Sequence, residues 1–294
     1  MKIDVTVSIL NYNYGRFLNT AIESALAQTA GNCTIEVLVI DDGSTDESDQ
    51  IIAKYESYKN FRSSKTKNQG FAASLTRAII EAQGDYIFLM DADDYFATGK
   101  VAAMLPALKS GNFFVCDTSS YINEVGERIS GGMWGSTSTV AVSKCASQPL
   151  LPVENELSFH SLYRLGKGKV LTESYTFYRV HDKSMTDKNA PGKWQTYLAQ
   201  ITHNLSGKLS NIASRSPVPP WGASAKQISC VADEFKAWAY YHELEAALEL
   251  KQVVNSYKNC LRMLFWKLKA KKGIGIFDMK MVIKTLLFRP SKPK

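Results

Sequence analysis

The stretch Asp85-Tyr-Ile-Phe-Leu-Met-Asp-Ala-Asp-Asp-Tyr-Phe96 decides how the rest of this chain is read. Tyr86 to Met90 is an unbroken apolar run, short for a helix, and predicts a strand buried on both faces. It ends abruptly in the carboxylates Asp91, Asp93 and Asp94. Carboxylates packed this closely raise one another's pKa unless a cation or a set of donors compensates. Open α/β sheets place their ligands at the carboxyl ends of strands. The compensator expected there is a hard divalent cation bound through oxygen, which would in turn hold phosphates. An acidic turn that only caps the next helix is the simpler alternative for an isolated Asp-x-Asp.

The sequence upstream of Asp85 weighs against that alternative. Val5 to Leu10 predicts a first strand, Asn11-Tyr-Asn-Tyr-Gly15 a turn, and Arg16 to Gln28 a helix with Phe17, Ala21, Ile22 and Ala25 on one face. Thr34 to Ile40 predicts a second buried strand, which stops at Asp41-Asp-Gly-Ser-Thr-Asp46. A helix through Ile51, Ile52 and Tyr55, a short strand at Phe61 to Ser63, the turn Asn68-Gln-Gly70 and a helix to Ala82 follow. This alternation implies a parallel sheet with helices on its faces. Both acidic turns then lie at one sheet edge, which suits a nucleotide diphosphate: one acid pairs with base or ribose donors and another holds a metal on the diphosphate. The first turn is not G-x-G-x-x-G and no P-loop is present, so dinucleotide and P-loop chemistry are disfavoured.

Beyond Asp94 the alternation loosens. A helix is expected at Lys100 to Lys109, a strand at Phe113 to Asp117 and a hairpin at Tyr121 to Ile129. An irregular Gly/Ser/Thr passage from Gly131 leads into a strand at Thr139 to Val142; a helix at Glu154 to Arg164 and a strand at Tyr175 to Val180 complete this part. After Lys193 the character changes. Pro217-Val-Pro-Pro220 predicts a break, and Ser224 with Gln227 reads as a capping box. It opens a long helix to about Val254 with Ile228, Val231, Phe235, Trp238 and His242 on one face, and further helices carry Leu261, Leu264, Phe265 and Leu268 among lysines.

At 294 residues and 45% hydrophobic, the chain can bury one large core or two ordinary ones. No basic and apolar leader opens it, so no signal peptide is expected, and no apolar run approaches the ~18 residues of a membrane span. Cys33, Cys116, Cys145, Cys230 and Cys260 are scattered without a C-x-x-C, which fits reduced core thiols of a cytoplasmic protein. The net charge of +7 is uneven. Residues 251–294 hold twelve Lys or Arg against Asp278, a net +11 that leaves −4 for the remainder. A basic tail suggests an anionic partner surface.

Four segments, Val7-Ser-Ile-Leu-Asn-Tyr-Asn-Tyr-Gly-Arg-Phe-Leu18, Val39-Ile-Asp-Asp-Gly-Ser-Thr-Asp46, Asn68-Gln-Gly70 and Phe88-Leu-Met-Asp-Ala-Asp-Asp94, together resemble glycosyltransferase family 2, of GT-A fold. The resemblance covers residues 3 to 96 and continues more faintly to His181. It implies an α/β, Rossmann-like, mostly parallel sheet in a domain over 1–192. Residues 1–98 would be the nucleotide-sugar half and 99–192 the acceptor half, with a basic helical region over 193–294. The implied activity is inverting transfer of a sugar from a nucleotide donor, commonly a UDP-sugar, with Mn²⁺ or Mg²⁺.

Carried over by position, Asn11 and Asp42 would contact the nucleotide, with Asp41 beside them in the binding site, and Asn68 and Gly70 would wall the ribose and diphosphate. Asp91 would sit near the ribose and the metal, Asp94 would lie at the donor, and Asp93 would bind the metal. Helix capping is the alternative for Asp41 and Asp42. Phe177-Tyr-Arg-Val-His181 matches the family's Tyr-Arg-x-His, whose His can complete the metal shell. Inversion needs a carboxylate base for the acceptor hydroxyl. The family's usual Glu-Asp pair is altered here to Val153-Glu-Asn-Glu156, making Glu156 the first candidate, Glu154 the second and His160 the third. Thr76 stands where relatives often carry Asn.

The resemblance favours surface-polysaccharide assembly on a glycan or lipid-linked acceptor, in the cytoplasm or peripherally on the inner membrane face. Lys267, Lys269, Lys271 and Lys272 beside Leu264, Phe265, Trp266 and Leu268 form a basic amphipathic surface suited to an anionic membrane. A helix packed on the domain with solvated lysines is the alternative. No groove-reading motif points to nucleic acid. A catalytically silent binding subunit of a glycan-assembly complex, or a sugar nucleotidyltransferase, are the competing readings of the whole chain.

Overall fold

The computed structural model describes residues 2–181, 191–215 and 219–286. The chain divides into two compact units, residues 1–182 and 183–294.

The first unit is built on an eight-stranded sheet. Its opening half alternates β1 (Val5–Asn11), α1 (Gly15–Leu26), β2 (Ile35–Asp41), α2 (Ser48–Ala53), β3 (Phe61–Lys65), α3 (Phe71–Glu81) and β4 (Tyr86–Asp91). Every residue of β1 and β2 is buried, as are Ile87 to Met90 of β4, which is why these strands read as continuous apolar runs. The strands β3, β2, β1 and β4 are all parallel. The second half is mixed. It contains β5 (Tyr95–Phe96), α4 (Lys100–Lys109), β6 (Phe114–Ile122), β7 (Val140–Ser143), the short helix α5 (Lys144–Ser147), α6 (Leu157–Arg164) and β8 (Gly168–Arg179). The full sheet order is β3-β2-β1-β4-β7-β6-β8-β5, and β7 runs antiparallel to both β4 and β6.

Several boundaries differ from expectation. β6 continues five residues past Asp117 before the predicted turn, closed by Asn123 N–H to Glu127 O at 2.9 Å and an antiparallel bridge from Ile122 to Arg128. β8 starts at Gly168, not Tyr175, because it pairs with the whole of β6. The predicted helix at Glu154 starts only at Leu157, whose N–H is capped at 2.6 Å by Asn155 Oδ1. Only Cys116 and Cys260 among the cysteines are buried.

The second unit is helical: α7 (Lys193–Ala213), α8 (Ala225–Glu249), α9 (Val253–Lys269) and α10 (Ile276–Leu286). The predicted break at Pro217 begins outside the described residues. The capping box forms: Ser224 Oγ accepts from Gln227 N–H, and the Gln227 side chain accepts from Ser224 N–H. The helix it opens stops short of Val254, since Lys251 takes a φ of +57° and the chain restarts at Val253. Ile228, Val231 and Phe235 are buried as the periodicity required, with Trp238 and His242 half-buried. The helix α7 falls within the helical region expected from residue 193 but was not delimited there; its buried residues, including Ile201, Leu205, Leu209 and Ile212, are interleaved with threonine and serine that dilute the apolar pattern.

Candidate active site

Strand β1 latches both acidic turns. Its register pairs Asn11 with Asp41 on one side and Leu10 with Asp91 on the other. Beyond the ladder, Asp42 N–H donates to Asn11 O at 2.9 Å and Ala92 N–H to Leu10 O at 3.0 Å. The two clusters therefore share the carboxyl edge of adjacent parallel strands.

The β2 turn is held internally. Asp41 is fully buried; Oδ2 accepts from Asn11 Nδ2 at 2.6 Å, while Oδ1 accepts from the N–H groups of Gly43 and Ser44 at 3.1 and 2.9 Å. Asn11 Nδ2 also reaches Ser44 Oγ and Ser48 Oγ, whereas its Oδ1 is buried without a hydrogen-bond partner. Asp42 takes the backbone N–H groups of Gln69 and Gly70 at 2.9 and 2.8 Å, fastening the Asn68 loop to β2. Gly43 is required at this crossing. It has φ +81°, and a Cβ there would lie 2.8 Å from both Asn68 N and Thr66 O. Asn68 itself is exposed on that loop, and Gly70 (φ +87°) opens α3.

The β4 turn is less compensated. Asp94 is buried; Oδ1 accepts from Arg179 N–H at 2.8 Å and Oδ2 has no hydrogen-bond partner. Burial, and then the charge of Asp93, holds its carboxyl well above the usual range. Asp91 is raised as well, by burial first and then by Asp93, Asp94 and Glu156. Asp93 Oδ2 lies 3.0 Å from Nε2 of His181. That imidazole is wholly buried, edged by the rings of Tyr14 and Phe17 at 5.6 and 5.4 Å, and its Nδ1 has no hydrogen-bond partner. Arg179 braces the turn from behind, donating from Nε to Asp93 O at 2.8 Å.

The candidate bases fall on the loop before α6. Glu156 is half-buried beside Asp91 and is pushed up to about 7 by burial. The Thr137 hydroxyl donates to its Oε2 at 3.4 Å, and Ser138 Oγ accepts the Asp91 N–H at 2.9 Å. Glu154 is half-buried on the same loop. His160 lies 3.1 Å from Gly135 O and is stacked on Trp134; burial pushes it down to about 4, so it packs its loop as a neutral ring. Thr76 Oγ1 donates to Val153 O at 3.2 Å and accepts from Val153 N–H at 3.0 Å, tying α3 to the base-bearing loop.

A buried cation underlies the turn. Lys100 has no exposed surface, and its Nζ donates to Asp117 Oδ1 at 3.0 Å, Ser138 O at 2.6 Å and Thr176 Oγ1 at 2.5 Å. Nothing in the sequence pattern around Lys100 marks it as buried. Thr137 and Ser138 were missed as partners of the carboxylates, since hydroxyls in a Gly/Ser/Thr loop carry no periodicity, and Arg179 lay inside the Phe177-Tyr-Arg-Val-His181 motif without a role assigned to it.

The donor set fits a hard divalent cation. An acidic turn whose members raise one another's pKa, with an imidazole against one carboxylate and an unpartnered oxygen on another, carries more negative charge than Arg179 and the Lys100 already committed to Asp117 offset. Among the described residues no group of three or more His, Cys, Asp or Glu side chains stands ready to hold a metal. The residues that would hold one are Asp93 and His181.

Comparison with known proteins identifies the family and the fold. The profile described as glycosyl transferase family 2 matches residues 6–177. An uncharacterized glycosyltransferase of Rickettsia felis is 39% identical over 126 residues, 42% of this chain and 21% of the relative, so this chain aligns with about a fifth of that relative's length. The Escherichia coli UDP-Glc:alpha-D-GlcNAc-diphosphoundecaprenol beta-1,3-glucosyltransferase WfaP is 31% identical over 120 residues, 41% of this chain and 47% of its own. Among solved structures, S. aureus TarS 1-349 in complex with UDP-GlcNAc superposes with a TM-score of 0.63 at 13% identity, covering 92% of this chain and 93% of that one. The mannosyltransferase PcManGT from Pyrobaculum calidifontis, in complex with GDP-Man and Mn²⁺, gives 0.50 at 13% identity, covering 99% and 89%. At these identities the two structures speak for the GT-A fold.

Proposed function

The chain belongs to glycosyl transferase family 2, and from that premise we propose that it moves a sugar from a UDP-sugar to a hydroxyl of a lipid-linked glycan, with inversion at the anomeric carbon. The observation that carries this reading is the pairing of Leu10 with Asp91 and Asn11 with Asp41, which puts both acidic turns at one edge with Glu156 beside Asp91. WfaP is named for UDP-Glc and a diphosphoundecaprenol acceptor, which supports the choice of donor and acceptor class, and TarS was captured with UDP-GlcNAc, which supports the donor.

In this reading residues 1–98 bind the donor and 99–192 the acceptor. Asp42 keeps the Asn68–Gly70 wall closed, while Asn11 and Asp41 stiffen the turn under the nucleotide. Asp91 and Asp94 lie at the ribose and diphosphate. Asp93 and His181 are the residues that would hold Mn²⁺ or Mg²⁺, and such an ion would supply positive charge beside the diphosphate leaving group. Glu156 takes the proton of the acceptor hydroxyl as that oxygen attacks, and its pKa near neutrality suits the task. Glu154 is the alternative base. The enzyme works at the inner face of a membrane.

The test is donor hydrolysis. Slow Mn²⁺-dependent UDP release from a UDP-sugar, absent in Asp93→Ala, is expected. A chain that binds UDP yet never turns over any UDP-sugar, with or without acceptor, would instead be a silent binding subunit.

A further inference from the structure

Among the described residues no helix is long and apolar enough to cross a membrane, yet the last two helices carry bare apolar stripes. On α9, Val254, Leu261, Phe265 and Leu268 are 80%, 70%, 60% and 66% exposed, with Tyr257 beside them. At about 100° per residue these positions fall within an arc of roughly 80°. The stripe is not the packing face of α9. Cys260 and Met263 are buried on another side, where Cys260 joins Leu244, Leu248 and Met281 in a small core.

A cation follows the apolar residue repeatedly: Tyr257-Lys258, Leu261-Arg262 and Leu268-Lys269 on α9, then Met279-Lys280 and Ile283-Lys284 on α10. Met279 and Ile283 are again about half exposed, at 49% and 50%. One residue of offset on a helix sets the cations along one flank of each stripe. The only acid beyond Lys251, Asp278, is buried against Lys267 at 2.5 and 2.6 Å, and Lys269 pairs with Asp233 of α8 at 3.2 Å, so the positive charge of the flank rests chiefly on Lys258, Arg262 and Lys284.

We propose that the exposed stripes of α9 and α10 dock the protein on an anionic lipid bilayer, the apolar side chains entering the headgroup boundary and the flanking Lys and Arg meeting lipid phosphates. Charge selects this occupant over a second copy of the chain, since a self-association through these stripes would bring like-charged flanks together. The inference rests on the lipid-linked acceptor of the proposed function for its purpose, though not for its geometry.

The experiment is sedimentation of the full chain with phosphatidylcholine vesicles and with vesicles containing phosphatidylglycerol. Pelleting is expected only with the anionic vesicles and should fall as salt rises. The double variants Leu261→Asp/Phe265→Asp and Lys258→Glu/Arg262→Glu should each lower bound protein at least about tenfold, with helical circular dichroism and UDP release in solution unchanged. Equal pelleting with neutral vesicles, or undiminished binding by both variants, overturns the proposal. So does an oligomer that Leu261→Asp/Phe265→Asp converts to monomer without altering vesicle binding, which would make the stripe a contact between copies. Vesicle binding that behaves as expected while UDP release is absent would support the docking surface and sink the transfer reading instead.

Discussion

His181 Nε2 lies 3.0 Å from Asp93 Oδ2, joining the end of β8 to the acidic turn after β4 across 88 residues of sequence. The contact explains why the Tyr178-Arg179-Val180-His181 segment belongs to the site. Arg179 donates from Nε to Asp93 O and from its backbone N–H to the Asp94 carboxylate, and His181 brings a ring nitrogen to the carboxylate that would hold the metal.

Asp93 and His181 should govern metal binding. At a hundredfold excess over Kd, Mn²⁺ should stabilise the chain by about 2.7 kcal/mol, or several degrees in Tm. Asp93→Ala should remove that shift in a thermal melt, and His181→Ala should reduce it. An unchanged Mn²⁺ shift in Asp93→Ala would place the metal elsewhere.

Lys100 and Asp117 form a fully buried ion pair. Its loss is asymmetric, because removing one partner leaves the other charge buried and unpaired. Lys100→Met should cost about 3–5 kcal/mol, and Lys100→Met/Asp117→Leu should recover much of that. Urea unfolding of the single and double variants measures it. Equal destabilisation of the two would mean that the stranded Asp117 charge is not the cause.

Thr76 bonds both backbone groups of buried Val153. Thr76→Val keeps the shape and strands an N–H and a C=O, which should cost about 1–3 kcal/mol. Because Val153 leads into Glu154 and Glu156, transfer should fall further than UDP affinity. Calorimetry of UDP binding alongside the transfer rate separates the two effects.

The parallel half of the fold was legible because β1, β2 and β4 are buried on both faces, so their apolar runs and the acids that end them stand out without alignment. The antiparallel half was harder. β8 runs through exposed residues such as Lys169, Thr172 and Glu173, and its length comes from pairing with β6, a long-range contact that no local pattern carries. The acidic residues were readable as a set, but their division of labour was not. Only the structure separates Asp41, with one oxygen engaged by its own turn and the other by Asn11, from Asp94, with one oxygen left over. Lys100 was invisible for the same reason: a lysine after a Thr-Gly turn looks like solvent-facing surface until Asp117, Ser138 and Thr176 converge on it.

Glu156 offers a prediction with two independent readouts. Burial raises its pKa from an ordinary 4.5 to about 7. As a base it must be ionised, so the transfer rate should climb with pH and level off above about 7, and Glu156→Gln should lower it by about 10²–10⁴-fold with UDP affinity intact. Stability should move the other way. Between 4.5 and 7 the folded chain holds a proton that the unfolded chain has released, so this group's contribution falls as pH rises through that window and is lowest above 7. Glu156→Gln cannot ionise and escapes the penalty. The variant should therefore melt higher than the parent at pH 8 and close to it at pH 5. Melting curves at both pH values decide this, and a Glu156→Gln protein that is no more stable than its parent at pH 8 would show that the carboxylate is not held in a charge-disfavouring site.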